Sequence, residues 1–484
     1  MIDVLARRRA GVLLHPTSLP GRGAVGTLGA EAHRFVDFLQ DGGFSVWQTL
    51  PLGPRDRHGS PYRLLSDQAG DHELIDTEEL RRLDELPASF AFDAVPDSPT
   101  EAYRSFELAA TPTQHESFAA FVRGNREWLW PYGLFRLCEQ KFGGEPWWRW
   151  PSEYRNPTLR TLLPRLAQPK SAFRGIALLQ YLFERQWTAL KRHANAQGVY
   201  LFGDLPFYVD LNSVEVWWNR SLFRVGPDGT SDFVAGVPPD YFNADGQRWG
   251  NPLYDWKNLR AQGFAWWEER LVAQLKRFDL LRLDHFRALE SYWEIPSESP
   301  TARRGQWRAG HGVALLTRLG ERLGGVPLVA EDLGVITDEV RALRDRFRLP
   351  GMVVLQFAFD GSRDNPHLPE NHATNAVVYT GTHDNDTTVG WYAGLDAATR
   401  RYVQERLGAG SLEMPEALIE AAYASRAQLA IVPLQDLLAL GSEARMNMPG
   451  TIEGNWRWRF EWSDVPAELA ERCRERAARH ARLP

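Results

Sequence analysis

The chain predicts an α/β fold of the (β/α)8 barrel type, and three observations carry that expectation. Eight short β-branched or leucine-rich runs recur along its 484 residues, each followed by Gly, Pro, His or Asp and then by a helical pattern. Two of those runs end on a carboxylate and a third leads into one, where a barrel exposes the C-terminal ends of its strands. The length suits a large barrel carrying insertions better than one minimal domain.

In order, the runs are Gly11 to His15, Ser45 to Leu50, Val199 to Leu205, Leu280 to Asp284, Pro327 to Glu331, Met352 to Phe357, Ala376 to Gly381 and Ala430 to Leu434. Periodicity alone does not separate a short apolar strand from a buried helical segment, so their order and polar ends decide. The long stretch between the second and third runs exceeds any ordinary loop, and its spaced apolar positions read as helices over Gln114 to Arg123, Leu134 to Phe142 and Ile176 to Ala196. An inserted, mainly helical subdomain is expected there. Between the third and fourth runs, Val225 to Asp255 is rich in Gly, Pro, Asp and Asn and reads as a long loop insertion over the catalytic face. The expected division is therefore 1–53 for the first two strands, 54–195 for the helical insertion, and 196–484 for the remaining six strands with the loop insertion 225–255.

Composition narrows the partner. The chain has 62 acidic and 56 basic residues, a net charge of −6, and no basic block, which disfavours nucleic acid and anionic membranes. A neutral ligand fits better, and a monomer is expected. Cys138 and Cys473 lie far apart in helix-like contexts without metal-ligand spacing, so neither a disulfide framework nor a zinc site is expected. A reducing, cytoplasmic setting follows as the default. Arg7-Arg8-Arg9 and the apolar run after it have the outline of a signal peptide, but His15-Pro16 cuts the run short. Seven of the nineteen tryptophans cluster at Trp128 to Trp150 and at Trp217-Trp218. Aromatic faces stack on sugar rings, although packing in a core accounts for most such residues.

The carboxylates suggest the chemistry. Cleaving an acetal bond between sugars needs a proton donor at the leaving oxygen and negative charge beneath the anomeric carbon. Asp284 suits the second task, because Arg282, two residues earlier on the same strand, points to the same side and holds it ionised. Glu331 suits the first task if burial raises its pKa, with Asp332 pointing the other way as a structural group. Asp384, beside His383, would grip ring hydroxyls. A metallohydrolase site built from Asp284-His285, His383 to Asp386 and His15 is the sharper rival, but these segments lack the dense His clusters such sites use. No metal or cofactor is therefore expected.

The longer strings resemble a known family. Ser60-Pro61-Tyr62, Gly203-Asp204-Leu205-Pro206, Gln247 to Pro252, Arg282 to Arg287, Ala330 to Gly334, Gly381 to Thr387 and Asn447 to Thr451 are similar to the amylomaltases. These are the 4-α-glucanotransferases or disproportionating enzymes of glycoside hydrolase family 77. The resemblance runs from about Gly11 to Phe460 and implies a TIM barrel moving maltooligosaccharyl units between α-1,4-glucans by a retaining mechanism without a cofactor. It implies Asp284 as nucleophile, Glu331 as acid and base, and Asp384 as transition-state stabiliser. It implies further that Arg282, His383 and Asp204 organise the site, that Tyr62 and Asn455 line it, and that Asp240, Tyr241 and Phe242 tip a loop shaping the glucan path near Trp249. The chain departs from the family pattern at Ser66 to His72, where Ser-Ala-Phe-Ala-Gly-Asn-Pro is usual, and at Asn212 to Glu215, where Asp-Ser-Ala-Asp is usual. An α-amylase-type hydrolase on the same carboxylates is the enzyme alternative, and a glycan-binding protein without turnover is the alternative of another class.

Overall fold

The computed structural model describes residues 4–56, 58–87, 90, 98–158, 161–162, 170–239, 244–408, 413–451 and 453–484. Its strands, in chain order, are β1 (Arg9–Leu13), β2 (Val46–Gln48), β3 (Tyr200–Leu205), β4 (Phe233–Val237), β5 (Gln247–Pro252), β6 (Leu280–Leu283), β7 (Ser291–Pro296), β8 (Gln306–Ala309), β9 (Leu328–Ala330), β10 (Gly351–Val354), β11 (Ala376–Tyr379) and β12 (Leu429–Pro433). Eight of these form one parallel sheet in the order β10-β11-β12-β1-β2-β3-β6-β9. Each coincides with one of the eight runs read from the sequence. Strands buried on both faces must be apolar throughout, which is why they appear as continuous runs rather than as alternating patterns.

Side-chain alternation sets what the barrel encloses. Phe202, Leu280, Val329, Met352, Val354, Val377 and Tyr379 pack together inside, while Leu281, Leu283, Leu328 and Ala330 join the outer core. Extending that period of two along β6 carries Arg282 and Asp284 to the inner side above Leu280, and along β9 it carries Glu331 inward and Asp332 outward. Gly11 is required in β1 by close approach, since a Cβ there would stand 2.6 Å from both Ile431 Cδ1 and the Val46 carbonyl oxygen. Between β9 and β10 the ladder gives way to a single backbone bond, Ala330 N–H to the Pro350 carbonyl at 2.8 Å.

The segment between β2 and β3 is helical, with helices at Pro99–Ala109, Pro112–Gly124, Arg126–Lys141 and Lys170–Ala196 the longest. Pro112–Gly124 starts two residues before the Gln114 read from the sequence, with Pro112 in its first turn and a reciprocal Thr111/Gln114 capping box. Lys170–Ala196 packs against Pro99–Ala109, Arg126–Lys141 and the outside of the barrel. Trp147 and Trp217 are fully buried, as packing rather than ligand binding requires. The free cysteines Cys138 and Cys473 are also buried, and burial raises both thiol pKa values.

The insertion expected at 225–255 is present, but it is not loop throughout. Its middle contains β4 and β5, which join β7 and β8 in a four-stranded antiparallel sheet of order β5-β4-β7-β8. The partner strand β7 follows β6 in the chain, so the pairing of Val234 with Ile295 and of Gly236 with Trp293 is non-local and leaves no local signal. Gly, Pro and Asn disguised the short strands as loop. Asp240, Tyr241 and Phe242 lie outside the described residues.

The two departures from the family pattern meet in space. The Ser66 hydroxyl and the Asp67 N–H both donate to Glu215 Oε1, at 2.8 and 3.0 Å. The fully buried Arg270 closes the group through Asp67 Oδ2 at 2.5 Å and the Phe207 carbonyl at 3.1 Å. Burial, reinforced by Asp67, raises the Glu215 carboxyl to about 8.

Candidate active site

The nucleophile candidate stands at the mouth of the barrel, immediately after β6. Asp284 donates its N–H to the Leu205 carbonyl at 3.0 Å, continuing the β3–β6 ladder by one residue. Its Oδ1 accepts from Arg282 Nη2 at 2.6 Å, and its side chain keeps 30% of its surface exposed. Arg282 is itself buried, and its other amino group donates to Asp204 Oδ2 at 2.6 Å. A guanidinium between two carboxylates has its charge compensated on both sides, and those carboxylates raise its pKa despite the opposing effect of burial. Burial pushes Asp204 the other way, above the usual carboxylate range, although Arg282 pulls it down.

Tyr62 completes this inner group. Its hydroxyl donates to Asp204 Oδ2 at 2.6 Å, lies 2.9 Å from His383 Nε2, and accepts from Arg282 at 3.4 Å. Because its single proton goes to Asp204, the Tyr62 oxygen must accept from His383, so His383 carries its proton on Nε2. The two rings stack at 5.2 Å with Trp456 alongside. Tyr62 comes from the loop after β2, which is anchored by Arg55 to Asp71 at 2.7 Å.

Glu331 follows β9 and faces the same space. Its Oε2 accepts the His285 N–H at 2.7 Å and its Oε1 accepts the Leu333 N–H at 3.0 Å. The first bond depends on a left-handed backbone at His285, with φ 52°, an unusual conformation for a residue with a side chain. Two N–H donors favour the ionised carboxylate, yet enclosure by the barrel wall and the nearby Asp284 outweigh them. The Glu331 carboxyl is raised from 4.5 to about 8. The His285 ring rests edge-on against Trp249 at 4.7 Å, and burial lowers its pKa to about 4.

Asp384 lies beyond β11, with 47% of its side chain exposed. Its Oδ1 accepts from Asn447 Nδ2 at 2.6 Å, its backbone carbonyl accepts from Arg445 at 2.8 Å, and its Oδ2 is 3.5 Å from His383 Nε2. Asn455 is turned into its own loop, accepting from the Met448 N–H at 2.9 Å and donating to Thr451.

The barrel thus brings Asp284, Glu331, Asp384, Arg282, Asp204, Tyr62, His383 and Trp249 to one mouth, with Asn455 behind it; Asp240, Tyr241 and Phe242 are outside the described residues. Sequence reasoning missed Asn447 and Arg445 as partners of Asp384, and Trp456 beside Tyr62. Asn447 stood inside a family-like string, which was the available signal, but its contact partner is far away in the chain. Of the residues of the metal rival, His15, His383, Asn385 and Asp386 line one cavity. His15 pairs with the Thr49 hydroxyl at 3.1 Å, and among the described residues no three His, Cys, Asp or Glu side chains group as a metal site.

The family model described as 4-alpha-glucanotransferase matches residues 14–464. The 4-alpha-glucanotransferase of Thermus thermophilus is 45% identical, over 98% of this chain and 99% of its own, and that of Synechocystis is 45% identical over 94% of each. A solved amylomaltase from Streptococcus agalactiae, in complex with acarbose, superposes with a TM-score of 0.92 at 32% identity, covering 99% of this chain and 100% of that one. With nearly every residue spanned by such relatives and the carboxylates gathered at one barrel mouth, the chain belongs to the 4-alpha-glucanotransferase family, glycoside hydrolase family 77, and is an amylomaltase-type enzyme acting on α-glucans.

Proposed function

We propose that the enzyme works by double displacement with retention, using Asp284 as nucleophile, Glu331 as acid and base, and Asp384 as stabiliser of the sugar in the transition state. The supporting observation is the contrast between two neighbouring carboxyls: Asp284 accepts from a buried guanidinium at 2.6 Å, whereas burial and the nearby Asp284 raise Glu331 to about 8. Asp284 attacks the anomeric carbon, the glycosidic C–O bond breaks, and Glu331 gives its proton to the departing 4-oxygen. Glu331 then takes the proton of an acceptor 4-hydroxyl, whose oxygen displaces Asp284 and restores the original configuration. Such a mechanism calls for carboxyls about 5–5.5 Å apart. Tyr62, Asp204, Arg282, His383, Trp249 and Asn455 are assigned to substrate binding and site organisation. Asp240, Tyr241 and Phe242 are assigned to a loop that holds the acceptor and keeps water from the intermediate.

The proposed substrates are maltooligosaccharides, handled by a cytoplasmic monomer that engages neither nucleic acid nor membrane. No helix among the described residues is long and apolar enough to cross a bilayer. We assign 54–195 as an insertion into a barrel built from 1–53 and 196–484. The test is chromatography of products from pure maltotriose. Glucose should appear with a ladder of longer oligosaccharides while the total of reducing ends barely rises. Reducing ends that rise in step with substrate loss, without longer products, would move the reading to hydrolysis. Asp284→Ala, Glu331→Ala and Asp384→Ala should each abolish transfer and leave circular dichroism unchanged.

A further inference from the structure

We propose that Asp332 is a positioning residue for the acid–base carboxyl of Glu331, acting by replacing a missing rung of the barrel ladder; the proposal rests on the acid–base reading of Glu331 given above. Neighbouring barrel strands elsewhere share registered ladders, but the seam between β9 and β10 has only the Ala330-to-Pro350 backbone bond. Two residues further along, where the next backbone contact would fall, Asp332 Oδ1 accepts the Met352 N–H at 2.8 Å. Its Oδ2 accepts from Arg344 Nη1 at 2.6 Å, which ties the seam to the helix Asp338–Arg346 that follows β9. The Asp332 side chain is 6% exposed, so this is an enclosed clamp rather than a surface pair. Gly351 leaves it room, because a Cβ there would lie 2.7 Å from both Arg344 Nη1 and Asp332 Oδ2.

The clamp bears directly on the acid. Glu331 and Leu333 flank Asp332 in the chain, and the Leu333 N–H is one of the two donors that aim the Glu331 carboxyl. The other donor, from His285, and the bonds between Glu331 N–H and the Leu283 carbonyl and between Phe286 N–H and the Glu331 carbonyl, both 3.1 Å, secure only the β6 side. Asp332 holds the β10 side. Pinned on both sides, the short segment 331–333 fixes where the Glu331 proton is presented. A displacement of about 1 Å at such a group is enough to cost up to 100-fold in rate.

Two donors separate positioning of the acid from general damage. Maltotriose needs a proton on its leaving oxygen, whereas maltotriosyl fluoride expels fluoride without one. In the first step with the fluoride, Asp284 forms the glycosyl ester as the C–F bond breaks and fluoride carries away the electron pair. Asp332→Ala should lower kcat on maltotriose about ten-fold with KM within about two-fold, while single-turnover fluoride release stays within about two-fold of the parent. Arg344→Met, which keeps the Met352 bond and loses the ion pair, should show the same selectivity to a smaller degree, and it carries the test if Asp332→Ala does not fold. Equal losses on both donors, or no loss on either, would overturn the positioning role. Glu331→Gln is the control. If it loses fluoride release as heavily as maltotriose turnover, the acid assignment itself fails, independently of Asp332.

Discussion

Tyr62→Phe is the sharpest probe of how the inner carboxylate pair is held. The substitution keeps the ring that stacks on His383 and removes only the hydroxyl. That oxygen donates to Asp204 at 2.6 Å and receives from His383 at 2.9 Å and Arg282 at 3.4 Å. Asp204 is fully buried and its Oδ1 already has no hydrogen-bond partner, so Oδ2 is left with Arg282 alone. Losing a buried bond to a charged group costs about 1.5–3 kcal/mol. The direction is set by the bond itself: Tyr62 stabilises the ionised form of Asp204, so its loss drives a carboxyl already raised by burial still further up. An Asp204 that takes up a proton no longer anchors Arg282, and Arg282 is the group that holds Asp284. If the whole cost reaches the transition state, glucose release from maltotriose falls roughly 10- to 150-fold at neutral pH, mostly in kcat. Initial rates across maltotriose concentrations, with a thermal melt as control for folding, make the measurement. A kcat within two-fold of the parent, with an unchanged melt, would falsify the claim that this hydroxyl orders the Asp204–Arg282–Asp284 chain.

Three further outcomes follow from the same geometry. Because Glu331 must be protonated to start the reaction and its carboxyl is raised to about 8, kcat/KM should hold through neutrality and fall as pH rises past about 8; a decline centred near pH 5 would contradict the assignment. Asn447→Ala removes the 2.6 Å bond to a half-exposed Asp384, so transfer should drop about ten-fold while urea unfolding barely changes, and a large stability loss would point to a structural role instead. Arg270→Met strips the buried Asp67 of its partner and should cost about 3–5 kcal/mol in denaturant titration; a variant as stable as the parent would show that this ion pair does not hold the segment.

How much of this was legible before folding varied by element. The barrel strands were legible because burial on both faces demands unbroken apolar runs, and Leu280 to Leu283 or Ala376 to Tyr379 satisfy that demand locally. The helix read over Gln114 to Arg123 was legible from its spaced apolar positions, although the structure starts it at Pro112 with a cap at Thr111. The side sheet did not declare itself, since Phe233–Val237 finds its partner only when Ser291–Pro296 returns across β6, and its glycines and prolines read as loop. Asn447 and Trp456 were hidden for a related reason: they act on Asp384, Tyr62 and His383 through loops that come together only at the barrel mouth.

The sequence by itself determined the strand order, the carboxylates that follow three of the strands, and, by a period of two, that Arg282 shares a side with Asp284 and that Glu331 and Asp332 face opposite ways. Those are properties of single segments, written in local chemistry. Tertiary structure decided the protonation logic. The Glu331 carboxyl is high because a closed barrel encloses it beside Asp284, and Arg282 stays charged because β3 brings Asp204 to its other side. It also decided how the seam beside Glu331 closes, by a carboxylate in place of a ladder rung. Electrostatic energies depend on distance through space and on the exclusion of water, and neither exists until strands far apart in the chain are brought together.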